Sequence, residues 1–275
     1  MTVLSDPGCA RTLSPRPFVG GVELEAERTS RGSILRRLTE RGGFRARVTG
    51  HGERCEAYFV NPCGGLLGGD CIDYSIRVGT DAHLALSTAA AERVYRSDGA
   101  RTRVHCDIAV AAGATLEWLP QQTLLYDGCH FRRRIRLEAH PHARVTILEP
   151  LTLGRPAYGE SLEAVDIRDD WRVQRAGQLV FAEALRLAGR ASHLFARAAI
   201  GAGACATATL LRLVPDADAE LERVRACLDT SVLCAASAVE GTIVARWLAP
   251  DAMTLMSALR SFLCRLRGAA SPRGW

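Results

Sequence analysis

Two carboxylates interrupt runs of the sequence that are otherwise apolar. In ARVTILEPLTL, residues 143–153, Val145, Ile147, Glu149, Leu151 and Leu153 share one side of the chain if it is extended. In QLVFAEALRL, residues 178–187, Leu179, Phe181, Glu183, Leu185 and Leu187 do the same. A carboxylate on such a face needs an arginine, a proton, water or a metal to offset its lost hydration. The chain has 35 basic residues and no lysine, so arginine partners abound and a structural ion pair is the plain reading.

Other ligand types are scattered. Cys129-His130 follows Asp127-Gly128 in a turn and offers a soft and an imidazole donor. His140-Pro141-His142 reads as a surface loop, and Cys63 and Cys71 lack the spacing of a structural zinc site. These residues are expected to be packing or solvated groups. No Gly-x-Ser-x-Gly elbow, His-Glu-x-x-His motif or defensible nucleophile–base pair is present, so no catalytic role is expected.

The segment NPCGGLLGGD, residues 61–70, has the look of a phosphate-cradling loop. A P-loop, however, ends in lysine followed by serine or threonine, and this chain has no lysine. A dinucleotide fingerprint opens a helix, whereas here Cys71-Ile72-Asp73-Tyr74-Ser75-Ile76 resumes an alternating strand. Gly64, Gly65, Gly68 and Gly69 are therefore expected to shape a strand-to-strand connection that Asp70 closes.

These residues must be held by a mainly β body. The short runs CEAYFVN, CIDYSIRV, HLALST, RVHCDIAV, TLEWL, FRRRIRLEA, ARVTILE, WRVQR and QLVFAEALRL read as strands. Ala89 to Tyr95 reads as a short helix or an irregular loop. A weak repeat joins Ile76-Arg77-Val78, Ile108-Ala109-Val110 and Ile135-Arg136-Leu137. Each copy is followed by a turn and then by Ala82, Ala114 or Ala143, and the starts lie 32 and 27 residues apart. Such units would stack as layers; a generic β-sandwich is the alternative. Near the carboxyl end, ATATLLRLV leads through Pro215-Asp216 to a helix with Leu221, Val224 and Leu228 on one face. GTIVARWL leads through Pro250-Asp251 to a helix striped by Leu255, Leu259, Phe262 and Leu266. The organisation expected is a flexible tail over 1–20, a β-rich body over 21–190, and a strand–helix–strand–helix region over 191–275 packed on that body.

Composition excludes several classes. Hydrophobic residues make up 48% and charged residues 24%, an ordinary globular balance. The formal net charge of +5 is interspersed with acids, and Arg132 to Arg136 reads as a solvated strand face, so no nucleic-acid partner is expected. The longest uncharged run, Ala198 to Leu211, is too short to cross a bilayer, and the opening MTVLSDPGCARTL lacks a secretion signal. Ten cysteines without a local framework point to free thiols and a cytoplasmic location.

The glycine segment, taken with Val94-Tyr95-Arg96-Ser97, Leu116-Glu117-Trp118-Leu119-Pro120-Gln121, Tyr126-Asp127-Gly128, Leu153-Gly154-Arg155, Gly159-Glu160 and the closing Pro272-Arg273-Gly274-Trp275, resembles the urease accessory protein UreD (UreH) family from about Ser33 onward. Cys63 and Gln122 depart from the family's usual residues. The resemblance implies a stacked β-superhelical body with two carboxyl-terminal helices. It implies a scaffold that binds UreF, and through it the GTPase UreG, and docks on apo-urease. It also implies transient passage of nickel(II) by a water-filled tunnel, with no permanently bound cofactor. On that reading Glu149 and Glu183 become stopping places along the route, since lone carboxylates release an ion that a closed site would trap. The carboxyl-terminal helices, with Met253 and Met256, are the expected partner surface. The competing reading is a stand-alone β-rich ligand-binding module, which would call for exposed aromatics in a chain that has only 6%.

Overall fold

The computed structural model describes residues 17–50, 52–270 and Trp275. The chain opens with β1 (Val19–Thr29), β2 (Gly32–Arg41), β3 (Arg45–Gly50) and β4 (Cys55–Val60). The middle holds β5 (Cys71–Val78), β6 (His83–Thr88), β7 (Glu92–Val94), β8 (Thr102–Val110), β9 (Thr115–Leu119) and β10 (Thr123–Leu125). Then come β11 (His130–Ala139), β12 (Arg144–Leu153), β13 (Val165–Arg175), β14 (Gln178–Gly189) and the short helix α1 (Ala191–Phe195). Last are β15 (Ala206–Leu213), α2 (Ala217–Cys227), β16 (Leu233–Val239), β17 (Thr242–Ala249) and α3 (Ala252–Arg267).

The strands form two facing sheets that wind as a β-solenoid of about four turns. In the first sheet β1, β5, β8, β11 and β13 run parallel, closed at the edges by antiparallel β2 and β14. In the second, β4, β6, β9 and β12 run parallel, flanked by antiparallel β3 on one side and β15, β17 and β16 on the other. Each turn of the coil contributes one strand to each sheet, and neither strand could bury its apolar face without its neighbours.

Register explains the repeat. Ile76 pairs with Ile108, and Ile108 with Leu137, while across the core Leu84, Leu116 and Val145 line up in the same way. All six are buried, each such side chain contributing roughly 1.5–3 kcal/mol. The third copy is therefore displaced by two residues from the repeat read in the sequence. Ala139, not Leu137, stands where Val110 and Val78 stand, and His140-Pro141-His142 is the same three-residue corner as residues 79–81 and 111–113.

Three other expectations are corrected. Residues 89–95 form no helix: β7 pairs with β10 there. A bulge at Val180 of β14, opposite the Val173–Gln174 step of β13, turns Leu179 to the outer side, where it is 54% exposed, while Phe181 and Glu183 stay inward. The helical stripe is internal: Leu255, Leu259, Phe262 and Leu266 are buried on the second sheet, with Phe262 edge-on to Trp247 at 5.0 Å. Of the two methionines expected at a partner surface, Met253 is exposed and Met256 is buried. The two longer helices begin at the aspartates read as their openings. Asp216 and Asp251 accept from the backbone N–H of Ala219 and Thr254 at 3.1 and 2.8 Å. Residues 1–16 of the expected tail lie outside the described residues, and β1 begins at Val19. Among the described residues no helix is long and apolar enough to cross a membrane, and nine cysteines are free.

Candidate functional site

β12 is buried along almost its whole length: one face packs into the core against the first sheet, and on the other Leu148 joins the apolar cluster that includes α3. Its parallel ladder to β9 ends at Ile147, and its ladder to β10 begins at Leu151. Pro150, which has no N–H to donate, sits in the gap between them. Glu149 occupies the same gap and is 4% exposed. Its Oε1 accepts from Trp118 Nε1 at 2.7 Å, and its Oε2 accepts from Arg133 Nη1.

Arg133 also holds Asp169 of β13, through Nε at 2.9 Å and Nη2 at 2.5 Å, and Trp171 Nε1 donates to the same carboxylate at 3.1 Å. The buried group is thus two carboxyl groups on one guanidinium, with a formal net charge of −1 when both are ionised. Burial raises the Glu149 carboxyl, and the opposing pull of Arg133 and Trp118 does not fully restore it. Burial alone would lower Arg133, but Asp169 and Glu149 more than reverse that and raise it.

Arg133 corrects the reading of Arg132 to Arg136 as a solvated face. The parity of β11 was legible: Phe131, Arg133, Ile135 and Leu137 all face inward, leaving Arg132, Arg134 and Arg136 on the outer side. Asp169 likewise shares parity with Ile167, Trp171 and Val173. The parallel register then sets Arg133 directly beside Asp169.

Glu183 of β14 lies opposite Trp171 and is half-buried, its carboxylate bonded to Arg246 Nη2 of β17 at 2.8 Å. Burial raises its carboxyl, with Arg246 opposing. A third acid escaped the sequence reading. Both carboxylate oxygens of Glu92 of β7 accept from Asn61 Nδ2, at 3.0 and 2.9 Å, and burial pushes its carboxyl up to about 7 despite those bonds. Its own run, Ala89-Ala90-Ala91-Glu92-Arg93, carries no strand pattern that would have announced it.

The three acids line consecutive cavities. The first, about 100 Å³, lies under the glycine loop and is walled by Asn61, Gly64, Gly65, Tyr74, Thr88 and Glu92. Tyr74, Thr88 and Glu92 also wall a second, of about 50 Å³, which ends on Trp118, Arg133 and Glu149. Glu149 in turn belongs to a third, of about 420 Å³, together with Asp169, Glu183, Thr209, Arg246 and Trp247. Arg133 and its two carboxylates stand at the junction between the second and the third.

The glycine loop shapes the outer end. Gly64, Gly65 and Gly69 have φ of +74°, +150° and +94°, and a side-chain carbon at Gly65 or Gly68 would meet Tyr95 or Ser97. Asp70 is buried and accepts from the N–H groups of Phe18 and Leu67, both at 2.8 Å, so it clamps the loop to the start of β1. The loop leads straight into β5. The remaining sequence candidates stay apart from the cavities: Cys129 is packed in an apolar cluster, and His130 faces the Gly99 carbonyl.

Comparison with known proteins identifies the family. A family model described as UreD urease accessory protein matches residues 19–275. Urease accessory protein UreD of Xanthobacter autotrophicus is 42% identical over 257 residues, covering 93% of this chain and 89% of that protein. Its counterpart in Azorhizobium caulinodans is 39% identical over 259 residues, covering 94% and 96%. That of a Methylobacterium species is 40% identical over 262 residues, covering 93% and 92%. With the family pattern running from the first strand of the solenoid to the last tryptophan, the chain belongs to the UreD family of urease accessory proteins.

Proposed function

We propose that this protein is a non-catalytic scaffold of urease maturation that passes nickel(II) through its interior to apo-urease, in a cytoplasmic complex with UreF and, through UreF, the GTPase UreG. The observation that carries this reading is the string of three cavities that share walls, with Glu92, Glu149 and Glu183 along it. A divalent cation is the species such a path accommodates best. With both acids ionised the buried triad carries a formal net negative charge, and a cation beside Glu149 would supply the compensation that one arginine shared by two acids leaves incomplete. Each of the three acids borders open space and offers oxygen donors alone, a hard and weak donor set that lets the ion move on. Free thiols throughout the described chain favour a reducing compartment.

The test is co-expression of urease and the accessory proteins with wild-type chain or with Glu149→Gln. Nickel in purified urease should fall for the variant while UreF still co-purifies. Nickel lost only in proportion to lost complex would make the acid structural and place the route elsewhere.

A further inference from the structure

A second group of ligand-type side chains lies on the opposite surface of the first sheet, away from the cavities. Ile72 and Tyr74 of β5 face the core, so Cys71 and Asp73, of the other parity, face outward. The parallel register sets His105 of β8 directly opposite Asp73. The Cys71 thiol, an Asp73 carboxylate oxygen and a His105 ring nitrogen all lie within 4.8 Å of one another. His105 Nδ1 stands 2.9 Å from Asp73 Oδ1. Among the described residues no other three His, Cys, Asp or Glu side chains bring donor atoms so close together.

The donor set selects the ion. Calcium and magnesium prefer all-oxygen shells, whereas one sulfur, one imidazole nitrogen and one oxygen suit a borderline divalent cation such as nickel or zinc. Bonds of about 2.0–2.3 Å in a tetrahedral shell place donor atoms about 3.3–3.8 Å apart. The group therefore needs only a small side-chain contraction, which half-buried Cys71 and His105 and exposed Asp73 are free to make. Two neighbouring strands of a rigid sheet fix the three Cα positions, so little order is lost on binding. A fourth position faces solvent, as in an exchangeable site and unlike a closed structural one.

We propose that Cys71, Asp73 and His105 form an open, exchangeable site for a borderline divalent cation on the outer face of the sheet. Binding replaces the hydrogen bond between His105 and Asp73 with two metal bonds: the ring proton leaves Nδ1 and, through solvent, the imidazole takes its tautomer with hydrogen on Nε2, while the Cys71 thiol becomes a thiolate and its proton leaves to solvent. The site does not depend on the interior route, because β5 separates the two.

The experiment titrates the purified, metal-free full chain with nickel(II) chloride, reading bound metal by equilibrium dialysis and thiolate-to-nickel charge transfer by absorbance. The wild type should show the charge-transfer band. Cys71→Ser should abolish it, and His105→Gln should weaken binding at this site by about tenfold or more. Metal-free melting temperatures of the variants check that they remain folded, and Asp73→Asn, at an exposed position, gives the same readout should either of the others be unstable. A wild type without the band, a band that survives Cys71→Ser, or unchanged affinity in His105→Gln overturns the proposal.

Discussion

Arg133 of β11 lies beside Asp169 of β13 in register and grips both of its oxygens, at 2.9 and 2.5 Å, while its remaining nitrogen reaches Glu149 in the facing sheet. One side chain thus ties the two sheets together through charge at a place where apolar packing surrounds it. Removing the guanidinium would leave two carboxylates buried without a cation. Arg133→Met should cost about 3–5 kcal/mol in urea unfolding, and adding Asp169→Asn should recover part of that loss. A cost below about 1 kcal/mol would show that water already screens the triad.

Glu149 and Glu183 differ in burial, and that difference should appear in nickel transfer. Glu149 stands at the junction of two cavities; Glu183 lines the largest of the three and is shared with an exposed arginine. Urease matured with Glu149→Gln should contain less nickel than urease matured with Glu183→Gln, at equal recovery of the complex. Equal nickel in both, and equal to wild type, would remove carboxylate charge from the transfer step.

Glu92 sets a pH dependence. Its folded value of about 7 exceeds the ordinary 4.5, so between the two the folded chain holds a proton that the unfolded chain has released. Its contribution to stability is fully present below about 4.5 and is lost as pH rises through about 7. The full swing is about 3 kcal/mol. Glu92→Gln should flatten the fall in unfolding free energy measured from about pH 5 to about pH 8, and should stabilise the chain at the upper end. A variant as pH-dependent as the wild type would assign the slope to other groups.

The glycine loop should tolerate no side chain at residue 65. With φ of +150° and Tyr95 lying where a Cβ would go, Gly65→Ala combines backbone strain with a clash. A loss of about 1–3 kcal/mol in thermal or urea unfolding is expected. Gly64→Ala, which meets nothing within 4 Å but keeps a φ of +74°, should lose less. If Gly64→Ala proves the more damaging of the two, the Tyr95 contact is not what fixes the loop.

Much of the fold could be read from residue order alone, because strand parity is local. The alternation in CIDYSIRV, HLALST and TLEWL marks inward and outward sides before any partner is known, and Asp216 and Asp251 announce helices through bonds that span three residues. The same parity made Glu149 and Glu183 conspicuous, and it would have turned Arg133 inward had its neighbours Phe131 and Ile135 been given more weight than the arginines around it. What no local pattern contains is which residues meet. Asp73 faces His105, and Arg133 faces Asp169, because parallel strands from successive coils stack in one register. That register depends on the length of every connection between them, as the two-residue displacement of the third repeat shows. The gap in β12 that admits Glu149 exists only because β9 stops and β10 starts on the same side of it. Sequence determined the side each residue faces; the winding of the solenoid decided its company, since a contact across tens of residues is set by the whole path between them.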